Sequence, residues 1–148
     1  EQFGLPIKDA TAGTDNKQFF IPGSLIKTGF DTTHPLAFGM QDTVAVSFNK
    51  SRAFEIEKQE KKGEGGTEDI KDAPVPEIEV IANYAEKDLL MSGWAMGEKK
   101  YIAKKPAMVK AKYGKGAVVL FAFRPQFRAQ PRGTYKLIFN TIYEGAAD

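Results

Sequence analysis

The run Ala117-Val118-Val119-Leu120-Phe121-Ala122-Phe123 constrains this chain more than any other segment. Its β-branched and aromatic residues read as a strand, and no polar residue falls at either alternating position, so both faces need cover. The expectation is an interior strand with layers on both sides, which favours an α/β layered fold over a two-sheet sandwich. Just before it, Gly114-Lys115-Gly116 reads as a chain reversal, because glycine reaches turn dihedrals that strain other residues. Upstream of the turn, Ala107, Val109, Ala111 and Tyr113 alternate with Lys110 and Lys112, a strand pattern with the lysines toward solvent.

Other segments fill in a sheet with several hairpins. Phe19 to Ile21 and Leu25 to Phe30 are core candidates split by the Pro22-Gly23 turn, and Asp31 to Pro35 is a second turn. Strands are expected at Val44 to Phe48, around Phe54 and Ile56, and from Ile78. Ala85 to Leu90 reads as a helical turn. A helix is expected from Tyr135 to Tyr143, with Thr134 placed to cap its free amides. Residues 1–18 are polar and aperiodic and read as a flexible lead-in, and 58–76, rich in glycine and charge, as a surface loop. With 148 residues, the remainder, 19–148, makes one domain.

Charge excludes little by its sum, +2, and more by its placement. From Glu55 to Glu79 nine acids face four lysines, whereas from Lys99 to Lys136 eight lysines and three arginines stand with no acid. A solvated surface explains this division, and a functional basic face is the alternative. Nucleic acid is not expected, because no ladder of aromatic and basic residues accompanies the charge. No apolar run approaches the roughly 20 residues of a membrane helix, so no membrane span is expected.

Most catalytic schemes lack their parts. With no cysteine and His34 as the single histidine, no metal site, catalytic residue or cofactor is expected. Ser24, Ser47, Ser51 and Ser92 lack the glycine-flanked setting of a hydrolase nucleophile, and Gly63 to Gly66 is not followed by the Lys-Ser or Lys-Thr pair of a phosphate loop. His34 and Pro35, like Gly23, Gly114 and Gly116, read as structural turn residues. Asn49-Lys50-Ser51 fits a glycosylation acceptor pattern.

The best polar constellation is Arg124-Pro125-Gln126-Phe127-Arg128-Ala129-Gln130-Pro131-Arg132. Loops after the carboxyl ends of strands are where open α/β sheets bind ligands. The guanidiniums of Arg124, Arg128 and Arg132, with the amides of Gln126 and Gln130, suit a carboxylate or acidic segment through forked hydrogen bonds. The alternative is that Arg124 or Arg128 pairs with Asp31 or Asp42 and ties loops together. Tyr101, Tyr113 and Trp94 are aromatic candidates to extend such a surface.

Three stretches carry a family resemblance: Pro22 to Leu25, His34 to Met40, and above all Gly114 to Arg128 followed by Gly133-Thr134 and Asn140. Together they resemble the C-terminal domain of bacterial zinc carboxypeptidase-family proteins, a domain similar to the class I glutamine amidotransferase-like fold. The resemblance spans roughly Phe19 to Tyr143. It implies a flavodoxin-like or glutamine amidotransferase-like α/β sheet, partly antiparallel, with helices on both faces. The early strand and helix units are not recognisable, so a truncated or rearranged version is expected.

By resemblance the parent protein is a secreted or periplasmic metallocarboxypeptidase, and this chain an accessory domain supporting assembly or substrate positioning. Its expected partners are the parent peptidase domain or a second copy. The peptidase's zinc-binding histidines and glutamate match no residue here, and the amidotransferase cysteine is absent. The accessory domain is expected to make its protein or peptide contacts through the Arg124 to Arg132 loop, and two alternatives stay open: a binding module for an anionic ligand or glycan, and an amidotransferase-like hydrolase with a non-cysteine site such as Asp31 or Asp42.

Overall fold

A computed structural model describes residues 4–57 and 76–147 of the chain. It is a mixed α/β domain built on a curled, open antiparallel sheet flanked by helices. The strands are β1 (Ile7–Asp9), β2 (Ser24–Phe30), β3 (Thr43–Phe48), β4 (Phe54–Ile56), β5 (Ile78–Tyr84), β6 (Leu90–Ser92), β7 (Pro106–Tyr113) and β8 (Gly116–Phe121). The helices are α1 (Glu98–Tyr101) and α2 (Tyr135–Ala147), with 3-10 turns at Pro35–Ala37 and Arg132–Thr134. The expected loop at 58–76 lies, but for Pro76, outside the described residues.

Strand order in the main sheet is β3-β2-β5-β7-β8, with β6 paired to the start of β2. Every pairing among the described residues is antiparallel, where the sequence leads one to expect only part of the sheet to be so. In β2 the alternation is regular: Ser24, Ile26, Thr28 and Phe30 are buried, and Leu25, Lys27 and Gly29 are not. That period of two is what a strand with one core face imposes. The lead-in carries more order than its polarity suggests, since β1 pairs with β4 from Ile7 opposite Ile56 to Asp9 opposite Phe54.

The strand covered on both faces is β7, not the run that follows it. Ala107, Met108, Val109 and Ala111 are buried in β7, while β8 ends the strand path and is nowhere fully buried. Apolarity on both faces of 117–121 arises for another reason. Val119 and Phe121 pack against the core, and the alternate residues Val118 and Leu120 are half-covered. Burial is complete only past the strand, at Ala122 and Phe123, where Phe123 meets the rings of Phe30 and Phe121 edge-on. Lys110, expected in solvent, lies instead under α2 and bonds Glu144 at 2.8 Å.

Beyond β8 the chain crosses to the opposite edge of the sheet. The Arg52 amide donates to Ala122 O at 2.7 Å, and the Arg124 amide donates to Ser47 O of β3 at 3.0 Å. These bonds join the two outermost strands at one end and curl the sheet. The core holds Ile26, Val46, Phe48, Ile81, Met108 and Leu137 among others, and Tyr84 enters it with its hydroxyl donating to Arg52 O at 2.8 Å. A buried phenol needs such a partner, because an unsatisfied polar group in the interior is costly.

Two local expectations are corrected. Ala85 to Leu90 is not helical: Ala85 and Leu89 are fastened to Lys27 of β2 by backbone bonds, and Leu89 is buried. Thr134 does not cap α2 through its hydroxyl. The oxygen lies 2.6 Å from Pro125 O and 2.8 Å from Pro131 O, so it donates back into the loop before the helix. Helix α2 is held by Leu137 in the core and by Asn140, whose Nδ2 donates to Leu36 O and Phe38 O at 3.0 Å each.

Candidate functional site

The curl brings the arginine-rich loop over the start of β2 and the ends of β3 and β6. In register, Leu25 stands opposite Ser47 on one side and Ser92 on the other, giving a row across three strands on the face turned away from the core. Ser24, Asn49 and Gly93 flank this row, and Phe127 and Gln130 complete a cleft of about 280 Å³. Gly93 has φ +94°, and a Cβ there would meet Ser24 Oγ at 2.6 Å, so the close approach demands glycine. Ser24 Oγ donates to Trp94 O at 2.6 Å and accepts from the Trp94 amide at 3.0 Å, fixing this wall.

The loop itself is strained and shaped. Arg128 and Ala129 are consecutive non-glycine residues in the left-handed region, at φ 51° and 55°, each costing on the order of 1–3 kcal/mol. A turn bond from the Gln130 amide to Phe127 O at 3.0 Å closes the bend. Within it, the guanidinium carbons of Arg124 and Arg128 lie 5.1 and 5.2 Å from the centre of the Phe127 ring. Cation–π attraction thus gathers two like charges around one aromatic ring.

The alternative pairing of Arg124 or Arg128 with Asp31 or Asp42 is not what forms. Among the described residues, neither arginine nor Arg132 makes an ion pair. Asp31 Oδ1 instead accepts from the Thr33 hydroxyl and amide, which hold its carboxyl below the ordinary value, and Asp42 Oδ1 accepts from the Thr32 hydroxyl. Both aspartates border a different cleft of about 370 Å³ beside Lys27 and Asn83.

Of the five candidate side chains of this loop only Gln130 lines the cleft; Arg124, Gln126, Arg128 and Arg132 do not, and Gln126, Arg128 and Arg132 are exposed. Trp94 is half exposed and tilts against Phe20 at 5.9 Å, next to the Ser24 wall. Tyr101 packs against Phe19 at 5.6 Å, and Tyr113 sits at the β7–β8 turn. Gly23 lines the cleft, while Gly114, at φ +60°, makes that turn and Gly116 opens β8.

His34 and Pro35 start the 3-10 turn. His34 Nδ1 accepts from the Leu36 amide at 3.1 Å, which leaves Nε2–H to donate to Glu79 at 2.7 Å. The tautomer follows from these two partners. A larger cleft of about 510 Å³ lies between the lead-in and β3, but its Arg52 faces Asp9 at 3.6 Å. Among the described residues no group of three or more metal-ligating side chains occurs, and no helix is long and apolar enough to cross a membrane.

Sequence reasoning weighed Ser24, Ser47 and Ser92 as nucleophiles and did not place them together. Only pairing register does that, and nothing in the spacing of three serines over 69 positions encodes it. No family model, curated protein or solved structure matches this chain.

Proposed function

We propose that this chain is a non-catalytic accessory domain of an exported zinc carboxypeptidase-like protein, and that it docks against the peptidase domain through α2. The observation that carries the reading is the outer face of that helix. Phe139, Ile142 and Tyr143 follow one another at helical neighbour spacing and are all more than half exposed, while Leu137 on the opposite side is fully buried. Phe38, at 77% exposure, stands beside them on the turn that Asn140 holds. An apolar patch of this kind on a folded surface marks a contact with another protein surface.

The test is binding of the chain to a zinc carboxypeptidase domain from the same organism, with hydrolysis of C-terminal peptide bonds by the chain alone, in added zinc, measured in parallel. Association that a Phe139→Lys, Tyr143→Lys pair abolishes, with no turnover by the chain alone, is the expected result. Failure to associate, or turnover that a point substitution removes, overturns the reading. A second reading, an anion-binding module, is favoured by the arginines gathered at Phe127.

A further inference from the structure

We propose that the outer edge of β8 is a dimerisation surface, at which a second copy of this chain pairs strand to strand about a two-fold axis. The inference does not rest on docking through α2. Its first support is the direction of the backbone groups. The Ala122 amide donates to Ala107 O of β7 at 2.8 Å, and β7 and β8 run in unbroken register from Met108 opposite Phe121 to Tyr113 opposite Gly116. In an antiparallel pair, alternate residues aim N–H and C=O at the same neighbour, so Gly116, Val118 and Leu120 aim theirs at β7, as Ala122 does. Ala117, Val119 and Phe121 therefore aim theirs the other way, past the end of the strand order, where no described group bonds them.

Its second support is what this edge lacks. A row of unpaired donors and acceptors recruits other strands, and folded proteins blunt such edges with charged side chains, proline, a bulge or extreme shortness. Strand β8 has six residues, Gly-Ala-Val-Val-Leu-Phe, with no charge, no proline and no shift of register. The other end of the sheet differs, since at β3 the Ser47 carbonyl already accepts from the Arg124 amide. Along β8, Ala117 is exposed and Val118 to Phe121 are only half-covered, so apolar surface beside the edge is open to further cover.

A second copy suits this edge better than a foreign peptide does. Peptides that add as a strand are selected by pockets or charges beside the edge, and β8 carries no charge to select one. An antiparallel copy centred on Val119 sets Val119 against itself and Ala117 against the partner's Phe121, so every outward N–H and C=O of both strands finds its complement. A small side chain then meets a large one on the same face. The flanking cations are also kept apart. In this register Lys115 faces the partner's Phe123, and Arg124 faces the partner's Gly114, so no like charges stand opposite each other.

The experiment is sedimentation equilibrium of the 148-residue chain from about 1 μM to about 1 mM. The expected result is a mass that rises from 16.3 kDa toward twice that value. Ala117→Pro removes an outward N–H and sets its ring against the partner strand while sparing the bonds to β7, and should weaken association at least about tenfold with an unchanged thermal midpoint. Should that variant fold poorly, Ala117→Lys, which leaves the backbone as it is, decides, with a weakening of at least about fivefold. Ala117→Thr keeps the N–H and should stay within about threefold of the original, as should Tyr143→Lys on α2. Because the chain has no cysteine, Lys115→Cys carries a single nitroxide, and dipolar spectroscopy of the dimer should place the two backbone sites about 27 Å apart, eight residues of extended strand.

A mass that stays at 16.3 kDa throughout overturns the proposal. Association that survives substitution of Ala117 by proline and by lysine, or that Tyr143→Lys abolishes, overturns the assignment to β8. A label separation far from the expected one overturns the pairing about Val119. Binding of a peptidase domain is read separately through Phe139 and Tyr143, and its failure leaves these outcomes as they stand.

Discussion

The outer face of α2 and the cleft beside the arginine loop are both open to solvent, yet they are open in different ways. Water solvates the hydroxyls and amides of the cleft, and the guanidiniums of the loop beside it, well, so their exposure costs little. Phe139, Ile142 and Tyr143 gain nothing from water, and burying apolar surface is worth about 25 cal/mol per Å². The contrast teaches that two equally open faces differ in free energy: exposure of the polar one is nearly neutral, and exposure of the apolar one favours cover.

The sharpest way to probe that contrast is along α2 itself. Leu137→Ala removes a fully buried side chain and should cost about 2–5 kcal/mol in urea unfolding, whereas Phe139→Ala, two residues on, should change stability by less than about 0.5 kcal/mol. Equal losses would mean that the outer face is packed within the domain. At the cleft, Gly93→Ala forces a Cβ against Ser24 in a left-handed conformation and should cost about 1–3 kcal/mol, measured by thermal unfolding. A neutral outcome would show that the Ser24 wall yields.

Tyr84 serves as the interior reference for both surfaces. Loss of its hydroxyl in Tyr84→Phe should cost about 1 kcal/mol through the missing bond to Arg52 O. Burial raises its phenol well above the ordinary 10.0, so below pH 10 it is neutral in both states. As pH rises past 10 the unfolded chain ionises first, and stability should fall; Tyr84→Phe should flatten this alkaline decline in a denaturant series. An unchanged decline would locate its cause elsewhere.

The smallest effects belong to groups on the surface. Arg128→Gln should leave urea stability within about 0.5 kcal/mol, because no ion pair is lost with it. Asp31 is held below its ordinary 3.8 by the Thr33 hydroxyl and then its amide, so its contribution is present above pH 3.8 and fades as pH falls through the lower folded value. Asp31→Asn should remove that slight acid dependence in a pH series of thermal midpoints.

How much of this was legible in the sequence depends on the range of the contact. Turns were readable because their chemistry is local: Gly114-Lys115-Gly116, and the His34-Pro35 start of the 3-10 turn. Strand existence was readable from alternation, as in β4 and β7. Strand position was not, because 117–123 is apolar whether it sits inside the sheet or at its edge, and Met108 beside Val109 gives β7 only a faint signature of its central place. The arginine loop was visible as composition. Its neighbours Ser47 and Ser92 were not, since they meet it through register, and the stacking on Phe127 depends on a backbone bend at two non-glycine residues.

The most direct test of the division between the two faces is one binding titration of the peptidase domain into the chain, before and after Tyr143→Lys, with the Arg124→Gln, Arg128→Gln pair as the comparison. Association abolished or weakened at least about tenfold by the helix substitution, and unchanged by the arginine pair, is the predicted result. Association that survives Tyr143→Lys, or that is lost with the arginines instead, would contradict the assignment of α2 as the docking face.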